Sequence, residues 1–193
     1  MYNIYAESIM RESVEEAEGG VDIGGERTNN LRFADDTTLI CTSKQDLMEM
    51  LKEVKDKSSE KGLLLNSQKT KVLVMDLERR NREEFILDGE LIEQVDEFVY
   101  LGSLLSNKGT CVQEIKRRLA MGRSATQKMV KIWKSTGVST KVKVRLLRAT
   151  CAMVFPIATY GSESWAMNAR EKKRVDAFEM WCYRRILRIS WRD

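Results

Sequence analysis

The spacing of apolar and polar positions divides the chain into a first part that mixes helix with short strands and a second part that is helical throughout. Ile4, Ile9, Met10 and Val14 fall on one face of a 3.6-residue period with acids opposite. This predicts a helix over residues 1–18, ended by Gly19-Gly20. Gly24-Gly25 predicts a turn. Leu31-Arg32-Phe33, then Asp35-Asp36, then Thr37–Cys41 reads as strand, acidic turn and strand. Ser43 with Asp46 three residues on opens a helix to about Lys61, with Leu47, Leu51 and Val54 as its apolar face and Gly62 as its stop. Val72–Met75 reads as a short buried strand. Glu84–Leu87, Asp88-Gly89 and Glu90–Ile92 carry a hairpin signature. Phe98–Leu101 is the last expected strand, ended by Gly102.

From residue 110 onward the period is helical. Thr110 with Gln113 opens a helix carrying Ile115, Leu119, Met129, Ile132 and Trp133. Ser139 opens a second with Val142, Leu146, Leu147 and Met153. Asn168 with Glu171 opens a third with Val175, Phe178, Trp181, Ile186 and Ile189. The expected class is α+β, with short antiparallel strands and helices over 1–102 and an all-α region over 103–193. The first helix shows no cap before Met1, which suggests a domain cut from a larger one.

Composition narrows the chemistry. In 193 residues, 42% hydrophobic and 32% charged, there is enough apolar material for a core, which excludes a wholly disordered chain. With no histidine, Ser-His, Cys-His and His-ligated metal mechanisms are excluded. Cys41, Cys111, Cys151 and Cys182 are too far apart for a Cys-x-x-Cys zinc motif. With no export signal in the first residues, they read as reduced thiols of an intracellular protein, nuclear or cytoplasmic. The longest uncharged stretch, Ala149–Ser162, is too short to span a bilayer and contains Pro156, so no membrane partner is expected.

The net charge of +4 conceals an asymmetry. Residues 1–66 hold 8 Lys/Arg against 14 Asp/Glu, whereas 103–148 hold 12 basic residues against one acid, Glu114, a net of +11. Lysines on solvated helices normally alternate with glutamates; here they do not, which points to a polyanionic partner.

The sharpest local feature is Arg32-Phe33-Ala34-Asp35-Asp36-Thr37-Thr38-Leu39-Ile40. Adjacent carboxylates at a hairpin tip repel one another unless a hard cation neutralises them. Phe33-Ala34-Asp35-Asp36 resembles the FADD/YADD box of reverse transcriptases. Gly62-Leu63-Leu64-Leu65-Asn66-Ser67-Gln68-Lys69-Thr70-Lys71 resembles the element that follows it in the polymerase palm, and Phe98-Val99-Tyr100-Leu101-Gly102 resembles the primer-grip hairpin. The order of the three is most similar to the reverse transcriptases of non-LTR (LINE-type) retrotransposons. Tyr160-Gly161-Ser162-Glu163-Ser164-Trp165, and the stretch from Ala177-Phe178-Glu179 to Tyr183-Arg184-Arg185-Ile186-Leu187, resemble the region after the thumb in such elements.

The resemblance implies an RNA-directed DNA polymerase that acts on an RNA template, a DNA primer and deoxynucleoside triphosphates. Asp35 and Asp36 would ligate a catalytic pair of Mg²⁺ ions about 3.5–4 Å apart. Lys69 would protonate the pyrophosphate leaving group, with Lys71 as competitor. Tyr100, Leu101 and Gly102 would hold the primer end. Lys116, Arg117, Arg118, Arg123, Lys128 and Lys131, on the thumb, would contact phosphates of the RNA–DNA duplex. The family also carries fingers and a further palm aspartate, which no residue before Asp35 matches in context. The chain is therefore expected to be a C-terminal palm and thumb fragment without activity of its own; the alternatives are a non-catalytic nucleic-acid-binding module or an inert relic. The basic residues Arg170, Lys172, Lys173 and Arg174, and Arg184, Arg185, Arg188 and Arg192, lie near Trp165, Trp181, Tyr183 and Trp191. They read as an amphipathic helix with aromatics in the core, or as a base-stacking surface.

Overall fold

The structure is a computed structural model that describes residues 2–14, 19–76, 82–129, 137, 139–187 and 190. It divides into two compact units: residues 1–72 with 81–95, and residues 73–80 with 96–193.

In the first unit, helix α1 (Tyr2–Val14) packs on helix α2 (Lys44–Glu60). Met10 and Val14 meet Met50 and Val54, with Leu39 and Cys41 at the edge of this cluster. Ile9, Met10 and Val14 are buried on the face expected of α1; of the expected α2 face, Leu51 and Val54 are buried, Leu47 is half-buried and Met50 takes the remaining place. Lys61, just past α2, ties the two together by donating to Glu12 Oε1 at 2.7 Å and Ser8 Oγ at 2.8 Å. Ser43 caps α2 as expected, its Oγ accepting from the Asp46 N–H.

The strands of this unit are short, and each of its hairpins closes on a two-residue turn. They are β1 (Val21–Ile23) with β2 (Glu26–Thr28), β3 (Asn30–Phe33) with β4 (Asp36–Leu39), and a three-stranded sheet ordered β5 (Lys71–Leu73), β7 (Glu90–Val95), β6 (Phe85–Leu87). The Gly24-Gly25 turn appears as expected, but the strands flanking it were not foreseen, because three-residue strands give too little alternation to read. The Asp88-Gly89 hairpin pairs Leu87 with Glu90, as its turn residues predict.

In the second unit, the hairpin β8 (Glu97–Tyr100) and β9 (Ser103–Ser106) lies on helix α3 (Val112–Lys128). Helix α4 (Thr140–Ala158) and helix α5 (Ala169–Leu187) pack on α3 as well, with a 3₁₀ turn at Ser162–Ser164 between them. Ser139 caps α4 and Asn168 caps α5, as the sequence indicates. The start of α3 differs: its cap residue is Cys111 and makes no side-chain cap bond, so Thr110 does not open this helix. The continuation through Ile132 and Trp133 lies outside the described residues, α3 ending at Lys128. Pro156 lies inside α4, one turn from its end.

The core of this unit is Ile115, Leu119, Val154, Ala158, Trp165, Phe178 and Cys182. Phe178 packs edge-on to Phe155 and stacked with Trp181, and Phe155 meets Tyr183 edge-on, so these α5 aromatics lie in or against the core, not on a base-stacking surface. Trp191 lies outside the described residues. The helices meet closely at Gly122, where a Cβ would stand 2.7 Å from Phe178 Cζ and 3.0 Å from Ala158 Cβ. Gly122→Ala is therefore expected to destabilise by about 1–2 kcal/mol despite the better helix propensity of alanine. A denaturant melt of the two chains measures it, and an unchanged or raised midpoint would contradict the close packing.

Candidate active site and nucleic-acid interface

Residues 30–39 form an antiparallel hairpin in which Phe33 pairs with Asp36. Ala34 and Asp35 are its two turn residues, and Asp36 begins β4. Both carboxylates are exposed at the tip, with neither hydrogen bond nor ion pair to any described residue. Ala34 adopts φ +54°, a conformation that costs an L-residue about 1–2 kcal/mol. One face of the hairpin, bearing Leu39, joins the α1–α2 core, and Arg32 on that face bonds Glu7 at 2.9 Å. The core thus anchors the hairpin while its tip stays in water.

The two lysines that compete in the sequence separate here. Lys71 donates to Glu93 Oε2 at 2.6 Å, and that bond holds the Glu93 carboxyl below the usual range. Lys69 is exposed, and its ammonium has no partner among the described residues. It sits in a turn built by Asn66, whose backbone and side-chain oxygens both accept from the Lys69 N–H. No hydrogen bond or ion pair joins Lys69 to Asp35 or Asp36.

The Tyr100-Leu101-Gly102 segment is the end of β8 and its turn. Tyr100 pairs with Ser103, and Leu101 (φ +47°) and Gly102 (φ +81°) are the two turn residues, so the chain reverses here into β9. Positive φ at both central residues matches the right-handed twist of a tight hairpin. Both turn carbonyls are bonded within the unit. Tyr160 Oη donates to Leu101 O at 3.1 Å; Arg117 Nη2 donates to Gly102 O at 2.6 Å, and Arg118 Nη2 donates to the same oxygen.

The basic residues of the second unit fall into two kinds. Lys116, Arg123 and Lys128 on α3, and Lys141, Arg145 and Arg148 on α4, are exposed and have no carboxylate partner among the described residues. Lys141, Arg145 and Arg148 share one helix face by their spacing of four and three. Arg117 and Arg118, expected on phosphates, are bonded inside the unit. Arg118 is buried. It donates to Glu114 Oε1 at 2.7 Å and lies 4.4 Å over the Tyr160 ring. Arg117 is half-buried and grips both oxygens of Glu114 at 2.8 and 3.0 Å. Glu114 also accepts from the Leu104 N–H at 3.0 Å. Burial alone would raise the Glu114 carboxyl, but these three donors outweigh it and hold it below the usual range. Lys131 lies outside the described residues.

The model of the family described as reverse transcriptase (RNA-dependent DNA polymerase) matches residues 1–105, more than half of the chain and all three boxes. The chain belongs to the reverse transcriptase family. A transposon-derived protein of Caenorhabditis elegans is 32% identical over 170 residues, covering 87% of this chain and 60% of that protein. The chain therefore spans less than two thirds of that relative's length. No solved structure matches.

Polymerase chemistry in the reverse transcriptase family is usually metal-dependent, so the donor set matters. Asp35 and Asp36 offer hard oxygens suited to one Mg²⁺ completed by water and phosphate oxygens. No group of three Asp, Glu, Cys or His that could hold a metal ion occurs among the described residues. No described helix of this reverse transcriptase chain is long and apolar enough to cross a membrane.

Sequence reasoning missed Glu114 and left Tyr160 without a role. A signal for the first was present: the lone acid of the basic block stands three and four residues before Arg117 and Arg118, the helical spacing of ion pairs. No signal tied Tyr160 to Leu101, 59 residues away.

Proposed function

We propose that the chain is the C-terminal palm (1–102) and thumb (103–193) of a non-LTR retrotransposon reverse transcriptase, an RNA-directed DNA polymerase. The observation that carries the reading is the hairpin that presents Asp35 and Asp36 at an exposed tip inside the segment matched by the family. In the intact enzyme, Asp35 and Asp36 would hold Mg²⁺, which would supply charge neutralisation at the transferring phosphoryl group. Lys69, with its ammonium unpaired among the described residues, is the proton donor to the leaving pyrophosphate; the ammonium of Lys71 is bonded to Glu93 instead. Tyr100, Leu101 and Gly102 meet the primer end. Lys116, Arg123 and Lys128 engage phosphates of the template–primer duplex.

The two-carboxylate donor set favours a second reading for this chain alone: it binds duplex without polymerising. With Mg²⁺, poly(rA)/oligo(dT) and dTTP, no templated incorporation is expected, whereas the same duplex is bound. Incorporation that vanishes in Asp35→Ala would overturn the inactivity of the isolated chain. Failure to bind duplex at low salt would overturn the polymerase-fragment reading itself.

A further inference from the structure

The Tyr160-Gly161 segment closes onto the turn of the β8–β9 hairpin. Its contacts are close. A Cβ on Gly102 would lie 3.2 Å from Tyr160 Cε1, and one on Gly161 would lie 2.7 Å from Ser103 Oγ. Gly161 adopts φ +72°, so a side chain there would be strained as well as crowded. Leu101 at φ +47° is itself in a costly conformation, which its surroundings help to hold.

Those surroundings are three donors to the turn carbonyls and the Glu114 carboxylate that accepts from two of them. Tyr160 fixes Leu101 O; Arg117 and Arg118 fix Gly102 O; and Glu114 holds both guanidiniums and the Leu104 N–H. Arg118 lies over the Tyr160 ring, so the two arms brace each other. The geometry has a consequence for the outer side of the turn. The C=O and N–H of one trans peptide point in opposite directions. Anchoring Leu101 O on Tyr160 therefore turns the Gly102 N–H away from Tyr160, at a residue with no side chain to block approach.

We propose that Tyr160 and Gly161, with Glu114, Arg117 and Arg118, are positioning residues that lock the Leu101-Gly102 turn so that its backbone meets the recessed 3′ end of a nucleic-acid duplex. This rests on the primer-binding reading of the hairpin. Tyr160→Phe removes only the hydroxyl and keeps the ring under Arg118. It frees Leu101 O while leaving the exposed basic helices untouched.

The test is fluorescence anisotropy of the full chain on two duplexes of equal length, one blunt and one with a recessed 3′ end. The unmodified chain is expected to prefer the recessed end. Tyr160→Phe is expected to weaken that duplex about fivefold, the scale of one lost hydrogen bond, and to leave the blunt duplex unchanged. Gly161→Ala should act in the same direction, and Lys116→Ala should weaken both duplexes alike. A thermal melt by circular dichroism identifies any variant that has lost its fold, and the Tyr160→Phe melt is expected within a few degrees of the parent. If the parent binds both duplexes equally, or Tyr160→Phe weakens both or neither, the positioning role is wrong while the nucleic-acid reading stands. If the parent binds neither duplex, the nucleic-acid reading falls and this proposal with it.

Discussion

Glu114→Ala is expected to cost the second unit about 3–5 kcal/mol. Removing one partner of a buried pair leaves the other charge uncompensated, and that penalty exceeds the net worth of the pair. Here the loss falls on three donors: the buried Arg118, the half-buried Arg117 and the Leu104 N–H of β9. Chemical denaturation at neutral pH measures it. A cost below about 1 kcal/mol would mean that water reaches Arg118 freely, contrary to its burial. The same carboxylate sets an acid dependence. Its pKa in the fold lies below the unfolded value of about 4.3, so its contribution is complete above that value and is lost as pH falls through the depressed folded one. Glu114→Gln should therefore be less stable than the parent at pH 7, and the gap should narrow as pH falls below the unfolded value. Replacing Glu114 and Arg118 together by neutral residues should cost less than the two single changes summed, by about 0.5–3 kcal/mol, because the buried charge of Arg118 is then no longer stranded.

Duplex binding by the chain is expected to fall about 500-fold between about 50 and 200 mM salt, a log–log slope of about −4 to −5. Each phosphate contact releases condensed counterions and contributes about −0.9 to the slope for duplex DNA, so about five contacts give this value. The contacts come from the exposed set Lys116, Arg123, Lys128, Lys141, Arg145 and Arg148, whose charges no described carboxylate neutralises. Replacing Lys116, Arg123 and Lys128 together by alanine should flatten the slope by up to about 3 units. Asp35→Ala should leave it unchanged, because that residue adds no phosphate contact. A slope near zero in the parent would reduce the basic block to a solvated surface. Arg117 and Arg118 are left out of the triple variant for a structural reason: their loss would unseat the hairpin, and the binding change would then report folding.

Much of this was legible in the sequence, and the residues show why. The Phe33-Ala34-Asp35-Asp36 hairpin, the Asp88-Gly89 hairpin, the Ser43, Ser139 and Asn168 caps and the Gly62 stop are all set within a few residues by turn geometry, capping bonds and alternation. β9 was not legible. Its turn holds Leu101 at positive φ, which an L-residue avoids unless tertiary contacts hold it there, so the local signal ends the strand at Gly102 instead of turning it back. The Thr110 cap misled for a related reason, because the first turn of α3 is organised by Glu114 reaching back to the Leu104 N–H.

By itself, the sequence determined the family through three ordered boxes, the charge asymmetry, and the helical stripes that became the two cores. Each of these is a local pattern or a sum over residues, and neither depends on what lies across the fold. Only the tertiary structure decided which charges are available. Lys69 and Lys71 are two residues apart and chemically identical, and the approach of Glu93 from another strand separates them. Lys116, Arg117 and Arg118 are consecutive cations, and the placement of Gly102 and Tyr160 turns two of them inward. A guanidinium reads the same in sequence whether it faces water or a buried carboxylate. The difference is made by desolvation and by hydrogen-bond partners that the fold brings from other elements.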